Sequence, residues 1–173
     1  PSVLNTAEID QIIGAVYSNY TVVSAPEITL EANPDDLSKE KIEELAKSPV
    51  NRLSIGIQSF FEEDLKMMNR AHNSKEAEDC IVLAKNYFDN ISIDLIYGIP
   101  GMTNERWIAN IEKALAFGVP HISSYALTVE PKTALKTFID KGLIPPVDDE
   151  LAEVHFHILV QKLEAAGFIN YEI

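Results

Sequence analysis

Cysteine is almost absent from this chain, since Cys80 is the single cysteine among 173 residues. One thiol cannot close a disulfide within the chain, and by itself it cannot hold a zinc ion or an iron–sulfur cluster. Cys80 lies in a predicted amphipathic helix beside Ala77 and Ile81, a setting typical of a small core residue. The sequence therefore predicts no metal ligand in this chain.

Basic side chains are also scarce, because 14 Lys and Arg stand against 27 Asp and Glu, a formal net charge of −13. A surface that binds nucleic acid without regard to sequence needs clustered Lys and Arg, so nucleic acid is excluded as a partner. No apolar run reaches the roughly 18–20 residues of a membrane span, and no secretory leader is recognisable. With 46% hydrophobic and 24% charged residues, we expect a globular, cytoplasmic protein.

Short strand-like segments alternate with segments of helical periodicity. The predicted strands cover 27–32, 52–58, 91–98 and 121–129, and a further strand is expected at 169–173. The predicted helices cover 6–20, 38–48, 74–88, 104–118 and 148–168. This alternation predicts an α/β fold with a parallel sheet and right-handed crossovers, arranged as an open sheet or as a barrel.

Each of the first three predicted strands has one apolar face and one small or polar face. In the third strand, Ile93 and Leu95 alternate with Ser92 and Asp94. Parallel strands that are buried on both faces normally read as continuous apolar runs. An antiparallel sheet with one wet face would show the same alternation, but the intervening helices favour a barrel with its helices outside.

Asp94 needs the most explanation, because it stands at the centre of the apolar segment "ISIDLIYG". Burial of an unpaired carboxylate is costly. In a parallel barrel the binding groups lie at the carboxyl ends of the strands, where Glu31, Gln58 and Asp94 are found. We therefore expect these three side chains to line a lumen for a polar ligand, with cationic groups and hydrogen-bond donors offsetting the burial of Asp94.

Four runs carry a family resemblance: "EITLEANPDDL", "NRLSIGIQSF", "MMNRAH" and "ISIDLIYGIPGMT". Together they resemble the radical S-adenosylmethionine (SAM) proteins of the oxygen-independent coproporphyrinogen III oxidase family. The match covers nearly the whole chain in consistent order and spacing. It implies a partial (β/α)6 barrel of radical SAM type, with parallel strands, helices outside and SAM at the carboxyl-end face.

The resemblance implies four polar residues around SAM. Gln58 and Asp94 would bond to ribose hydroxyls, and Arg70 would bind the methionyl carboxylate through its planar guanidinium. Glu31 would accept polar hydrogens or lie near the sulfonium. Two of these residues also have a plainer interpretation: Arg70 could be a solvated arginine at a helix end, and Glu31 a strand-end residue at a turn.

Apolar contacts to SAM are implied as well. Ala126 would line the same pocket, and Ile96 and Ile99 would contact the adenine. The histidines add no ligand pair, because His155 and His157 are two apart on a helix and point to different faces.

Family members hold a [4Fe–4S] cluster through a CxxxCxxC run, and this chain lacks one. The resemblance implies that this cysteine run lies upstream of "PSVL" and that family members continue beyond "NYEI". We therefore expect residues 1–173 to be the central part of the barrel, without the N-terminal cluster-binding strands and the C-terminal domain. SAM and the cluster would be cofactors of the full-length protein, and this chain alone is predicted to be inactive.

Two functions follow from the resemblance. The segments "SSYALTVEPKTAL" and "YEI" favour the branch thought to act as a heme chaperone. The alternative is a true coproporphyrinogen III dehydrogenase, which decarboxylates propionates to give protoporphyrinogen IX. The implied partners are heme or a porphyrinogen and an electron donor, and exposed barrel edges could promote association.

A third hypothesis sets the resemblance aside. Glu31 and Asp94 would then be the acid–base pair of an ordinary βα-barrel enzyme. The sequence supplies neither an oxyanion site nor a metal set for such an enzyme.

Overall fold

The fold was examined in a computed structural model, which describes residues 1–171. Its strands are β1 (Thr29–Ala32), β2 (Arg52–Gln58), β3 (Ile91–Tyr97) and β4 (His121–Ala126). All neighbouring strands pair in parallel, in the order β1-β2-β3-β4. The antiparallel alternative is therefore wrong, and the parallel α/β prediction is confirmed.

Helices connect and flank the strands. They are α1 (Thr6–Asn19), α2 (Lys39–Leu45), α3 (Glu62–Met67), α4 (Ser74–Ala84), α5 (Asn104–Ala116), α6 (Ala134–Asp140) and α7 (Asp149–Ala165). Polar side chains fix several helix starts: Ser38 accepts the backbone N–H of Lys41, and Asn73 and Glu76 form a reciprocal capping box. Of the described helices, none is long and apolar enough to cross a membrane.

The differences from the sequence prediction lie mainly at element ends and in short helices. Helices α3 and α6, of six and seven residues, were not predicted. Strand β4 ends at Ala126 rather than at 129. For the strand expected at 169–173, residues 169–171 are not in a strand, and 172–173 lie outside the described residues.

The core lies between the sheet and the helices that cover one of its faces. Alternate strand residues supply it: Leu53 and Ile55 of β2 and Ile93 of β3 are fully buried. Trp107 of α5 is buried among them, and its indole N–H donates to the backbone carbonyl of His155 at 2.8 Å. Because successive strand side chains point to opposite faces, the polar residues are left on the other side of the sheet.

Helix α7 closes over the turn that follows β3. Gly98 has a φ of +68°, a conformation that favours glycine, and a Cβ there would lie 3.0 Å from the Cβ of Ala152. The Gly98 N–H donates to Nδ1 of His155 at 3.1 Å. This contact fixes the exit of β3 close to its polar end.

Candidate functional site

A cavity of about 1380 Å³ opens on the polar side of the sheet, larger than the roughly 300–1,000 Å³ of most ligand pockets. Its lining includes five residues that the sequence predicted for the site: Glu31, Gln58, Arg70, Asp94 and Ala126. These residues come from four strands and one loop, and span nearly a hundred positions of the chain. The structure therefore brings the predicted residues together in one space.

Strand register explains this convergence. Glu31 on β1 is level with Ser54 on β2, and Asp94 on β3 is level with Ser123 on β4. In a parallel sheet, residues that share a register and a face form a row across the strands. Because Ser54 is level with Ser92 rather than with Asp94, the polar residues form two successive rows, Glu31–Ser54–Ser92 and Asp94–Ser123. Both rows follow from the alternation seen in the sequence.

Asp94 is paired by hydroxyls rather than by a cation. The Ser54 hydroxyl donates to Asp94 Oδ1 at 3.3 Å, and within residues 1–171 no Lys or Arg nitrogen lies within ion-pair distance. Desolvation raises the pKa of Asp94, an effect that hydrogen bonds from Ser54 and Ser123 oppose. The expected offset is therefore present without a direct ion pair: hydroxyl groups donate to the carboxylate, and the positive charge of Arg52 also lowers the pKa of Asp94. The carboxylate keeps lone pairs free for a ligand's hydroxyl groups.

Gln58 ends β2 in an unusual conformation. Its φ is +61°, it is only 4% exposed, and its Oε1 has no hydrogen-bond partner among the described residues. Gly56 makes room for this side chain, because a Cβ at Gly56 would lie 3.0 Å from Gln58 Nε2. A buried, unsatisfied amide oxygen that lines a cavity is suited to accept a hydrogen bond from a ligand.

Arg70 is held by a neutral partner. Its Nη2 donates to Oδ1 of Asn33 at 2.6 Å, and in the described part of the chain Arg70 makes no ion pair. The guanidinium therefore keeps its charge uncompensated by a direct carboxylate, with other N–H groups available for an anion.

Sequence reasoning missed Asn33 and Tyr125. Asn33 stands in the quoted run "EANPDDL", but its role depends on a contact to Arg70 that is 37 residues distant. Tyr125 lines the cavity, and burial together with the charge of Asp94 raises its pKa, whereas a hydrogen bond with Gln58 lowers it. Strand alternation from Ser123 could have identified Tyr125.

Ile96 and Ile99 lie outside the candidate site. Ile99 is fully buried in the core, and Ile96 is partly buried and packed against it. The turn at Gly98 directs Ile99 away from the lumen, and neither residue belongs to the cavity lining. Ala126 lines the cavity at the end of β4, where its partner in register is Tyr97.

Cys80 is buried in α4 as predicted, and desolvation raises the pKa of its thiol to about 12. Within residues 1–171, no group of three or more His, Cys, Asp or Glu side chains could hold a metal ion. The donor set of this chain therefore does not fit an iron–sulfur cluster.

The model of the radical SAM superfamily matches residues 7–114, which carry three of the four strands and four of the site residues. The chain belongs to the radical SAM superfamily. A radical SAM partial barrel accounts for the parallel strand order, the outer helices and the polar lumen.

The chain is also similar to individual radical SAM relatives. It is 37% identical over 175 residues to the heme chaperone HemW of Lactococcus lactis, covering all of this chain and 46% of that protein. It is 41% identical over 150 residues to HemW of Bacillus subtilis, covering 85% of this chain and 39% of that protein. The chain thus spans less than half the length of these curated relatives.

Solved structures agree on the fold. The coproporphyrinogen III oxidase HemN from Escherichia coli, a radical SAM enzyme, superposes with a TM-score of 0.82 at 23% identity, over 98% of this chain and 39% of that one. The archaeal Elp3 of Methanocaldococcus infernus superposes with a TM-score of 0.65 at 25% identity, over 73% of this chain and 30% of that one. The partial-barrel prediction is confirmed.

Proposed function

We propose that this chain is the SAM-binding central part of a radical SAM heme chaperone. The observation that carries the proposal is the convergence of Gln58, Arg70 and Asp94 on one cavity at the carboxyl ends of the strands. Among the described residues, each of these three side chains has polar atoms whose hydrogen-bonding capacity is not fully used by the protein. The cofactors of the superfamily are SAM and a [4Fe–4S] cluster, and of these the cavity fits SAM.

The fit to SAM is chemical. A carboxylate with free lone pairs and an unsatisfied amide oxygen match ribose hydroxyls, which donate hydrogen bonds. The uncompensated guanidinium of Arg70 matches the carboxylate of the methionyl group. Glu31, exposed at the end of β1, would accept the remaining polar hydrogens or face the sulfonium.

The cluster ligands would come from elsewhere in a longer polypeptide. Cys80 is buried in α4 with a raised thiol pKa, so it is neither accessible nor readily ionised. When bound, the cluster and SAM together supply one-electron chemistry, for which an electron donor is required. This chain's residues bind and orient SAM, and the protein acts in the cytoplasm.

Heme is the proposed cargo. The support is the identity of 34–41% to proteins named heme chaperone HemW from three bacteria, including Escherichia coli. Coproporphyrinogen oxidation is the second candidate, and only the structural match to HemN favours it.

Anaerobic assays on the full-length, cluster-reconstituted protein separate the two candidates. A heme chaperone should take up heme in stoichiometric amounts, which the absorbance of bound heme measures. It should release no carbon dioxide from coproporphyrinogen III. Turnover of coproporphyrinogen without stoichiometric heme uptake would reject the chaperone and support the oxidase.

A further inference from the structure

Gln58 occupies a turn that an isolated chain would not favour. The N–H of Ser59 donates to the carbonyl of Ile57 at 2.8 Å, closing a three-residue turn with Gln58 at its centre and a φ of +61°. Turns of this hand are rare and strained for a residue other than glycine. Such conformations persist only where the surrounding structure over-determines them.

A buried polar network holds the residues that follow Gln58, and its members Ser59, Asp64 and Asn110 do not line the cavity. Asn110 of α5 accepts the N–H of Phe60 through Oδ1 at 2.7 Å and donates through Nδ2 to the Ser59 hydroxyl at 3.2 Å. The Ser59 hydroxyl in turn donates to Asp64 Oδ2 at 2.7 Å. Asn110, Ser59 and Asp64 are all fully buried.

The network extends to neighbouring elements. Ser59 Oγ also accepts the N–H of Phe61 at 3.1 Å, and Arg106 Nη2 lies 3.3 Å from Asp64 Oδ1. Before the turn, His72 Nε2 bonds to the carbonyl of Ile57 at 3.1 Å. The residues that flank Gln58 are thus fixed through hydrogen bonds, while its side-chain oxygen has no hydrogen-bond partner in the part of the chain that the structure describes.

We propose that Asn110 is a positioning residue for Gln58: by holding Ser59 and Phe60 it keeps the preceding turn in the left-handed conformation that aims the Gln58 amide at the cavity. Asn110 lies 50 residues from Phe60 in the chain and does not line the cavity. The inference rests on the proposed SAM site, and it assigns part of SAM affinity to a residue that does not contact SAM.

The test is a double-mutant cycle on SAM affinity in the full-length, cluster-reconstituted protein. Asn110→Ala should weaken SAM binding about fivefold, the size of one net hydrogen bond. In a Gln58→Ala background the same change should have little further effect, because Asn110 acts through Gln58. Asn110→Thr keeps an acceptor oxygen and should restore most of the affinity.

Ile111→Ala is the matched control, since Ile111 is fully buried on the same helix but takes no part in the network. It should lower thermal stability while leaving SAM affinity unchanged. If Asn110→Ala does not fold, Ser59→Ala enters the cycle in its place with the same expected non-additivity.

The outcomes separate this inference from the proposed function. If Asn110→Ala weakens SAM binding equally in the unmodified protein and in the Gln58→Ala background, the positioning role is overturned. An Ile111→Ala variant that loses as much affinity as Asn110→Ala would also overturn it. Failure of the unmodified protein to bind SAM would instead overturn the proposed function, and the inference with it.

Discussion

Asp94 is a single polar residue whose burial lowers the stability of the ligand-free protein. Its carboxylate is partly desolvated on a strand whose other face is core, and the groups of residues 1–171 that donate to it are the hydroxyls of Ser54 and Ser123. Because burial raises its pKa, the native state favours the neutral acid more than the unfolded chain does. At neutral pH the ionised Asp94 therefore lowers the free energy of unfolding of the ligand-free protein.

Asp94→Asn should consequently have opposite effects on binding and stability. In the full-length protein, SAM binding should weaken by about 1–3 kcal/mol, the scale of a hydrogen bond to a charged group. In the ligand-free protein, the free energy of unfolding at pH 7 should rise by about 0.5–2 kcal/mol. The gain should disappear as the pH falls below the ordinary aspartate value of about 3.9.

Isothermal titration and urea unfolding measure these two effects. Asp10→Asn, at an exposed position of α1, is the control and should change neither quantity. Unchanged SAM affinity in Asp94→Asn would remove this residue from the site.

Gly56 contributes by having no side chain. A Cβ at this position would approach Gln58 Nε2 to 3.0 Å, and the flexible amide would have to move away. Gly56→Ala should therefore weaken SAM binding several-fold with little change in thermal stability. Gly14→Ala is the matched control, because nothing lies within 4 Å of that site on α1. Equal SAM affinities for the two variants would contradict the spatial argument.

At the scale of elements, α7 is joined to the end of β3 through His155. The imidazole is fully buried, Nδ1 accepts the N–H of Gly98, and desolvation lowers its pKa. An imidazole nitrogen that accepts a hydrogen bond carries no proton, so the imidazole of His155 must be in its neutral form. His72, buried beside β2, has a pKa lowered by the same cause.

Both histidines should make stability depend on pH in the same direction. When the native pKa of a histidine is lowered, the free energy of unfolding is unaffected above the unfolded pKa of about 6.5. Below that pH the free energy of unfolding falls, because the unfolded chain binds a proton that the native state does not. Urea unfolding between pH 8 and pH 5 should show this decline.

His155→Gln tests the contribution of α7. The glutamine amide retains an acceptor for the Gly98 N–H but does not titrate. The slope of the free energy of unfolding against pH below pH 6.5 should therefore correspond to the uptake of about one proton fewer on unfolding. His157→Gln, two residues further on the same helix and 72% exposed, should leave the slope unchanged. Identical slopes for His155→Gln and the unmodified chain would show that His155 protonates freely in the native state.

At the scale of the whole molecule, the sheet has two edges. Strands β1 and β4 each pair on one side only within the described residues. Unpaired strand edges promote association between chains, whereas a net charge of −13 opposes it. The balance should shift with ionic strength, because salt screens the charge and leaves the edges available.

We therefore expect the 173-residue chain to associate more at high than at low salt in sedimentation velocity. Tyr125→Lys on β4 should reduce this association by placing a charge at the edge. Tyr17→Lys on α1, where the tyrosine has the same exposure of 47%, should not. A larger effect of Tyr17→Lys would place the contact on α1 instead of β4, and a monomer at every salt concentration would reject edge association.

The sequence by itself determined the four strands of the sheet and the five longer helices between and around them, the polar face of the sheet and the absence of a cluster motif. These features depend on residues close together in the chain: the period of two along β3, the cap at Ser38 and the single Cys80. The strand pattern indicated Glu31, Gln58 and Asp94, and the family motifs added Arg70 and Ala126 to the site. The SAM-binding role of these residues stays a prediction.

The tertiary structure alone decided how the site is held. The left-handed turn at Gln58, the bond from Arg70 to Asn33 and the contact of Asn110 with Phe60 each join residues that are far apart in the chain or depend on such contacts. It also moved Ile99 from the expected site into the core. Local periodicity gives the face of a strand but not the register between strands or the docking of a helix, and those two quantities set which side chains meet.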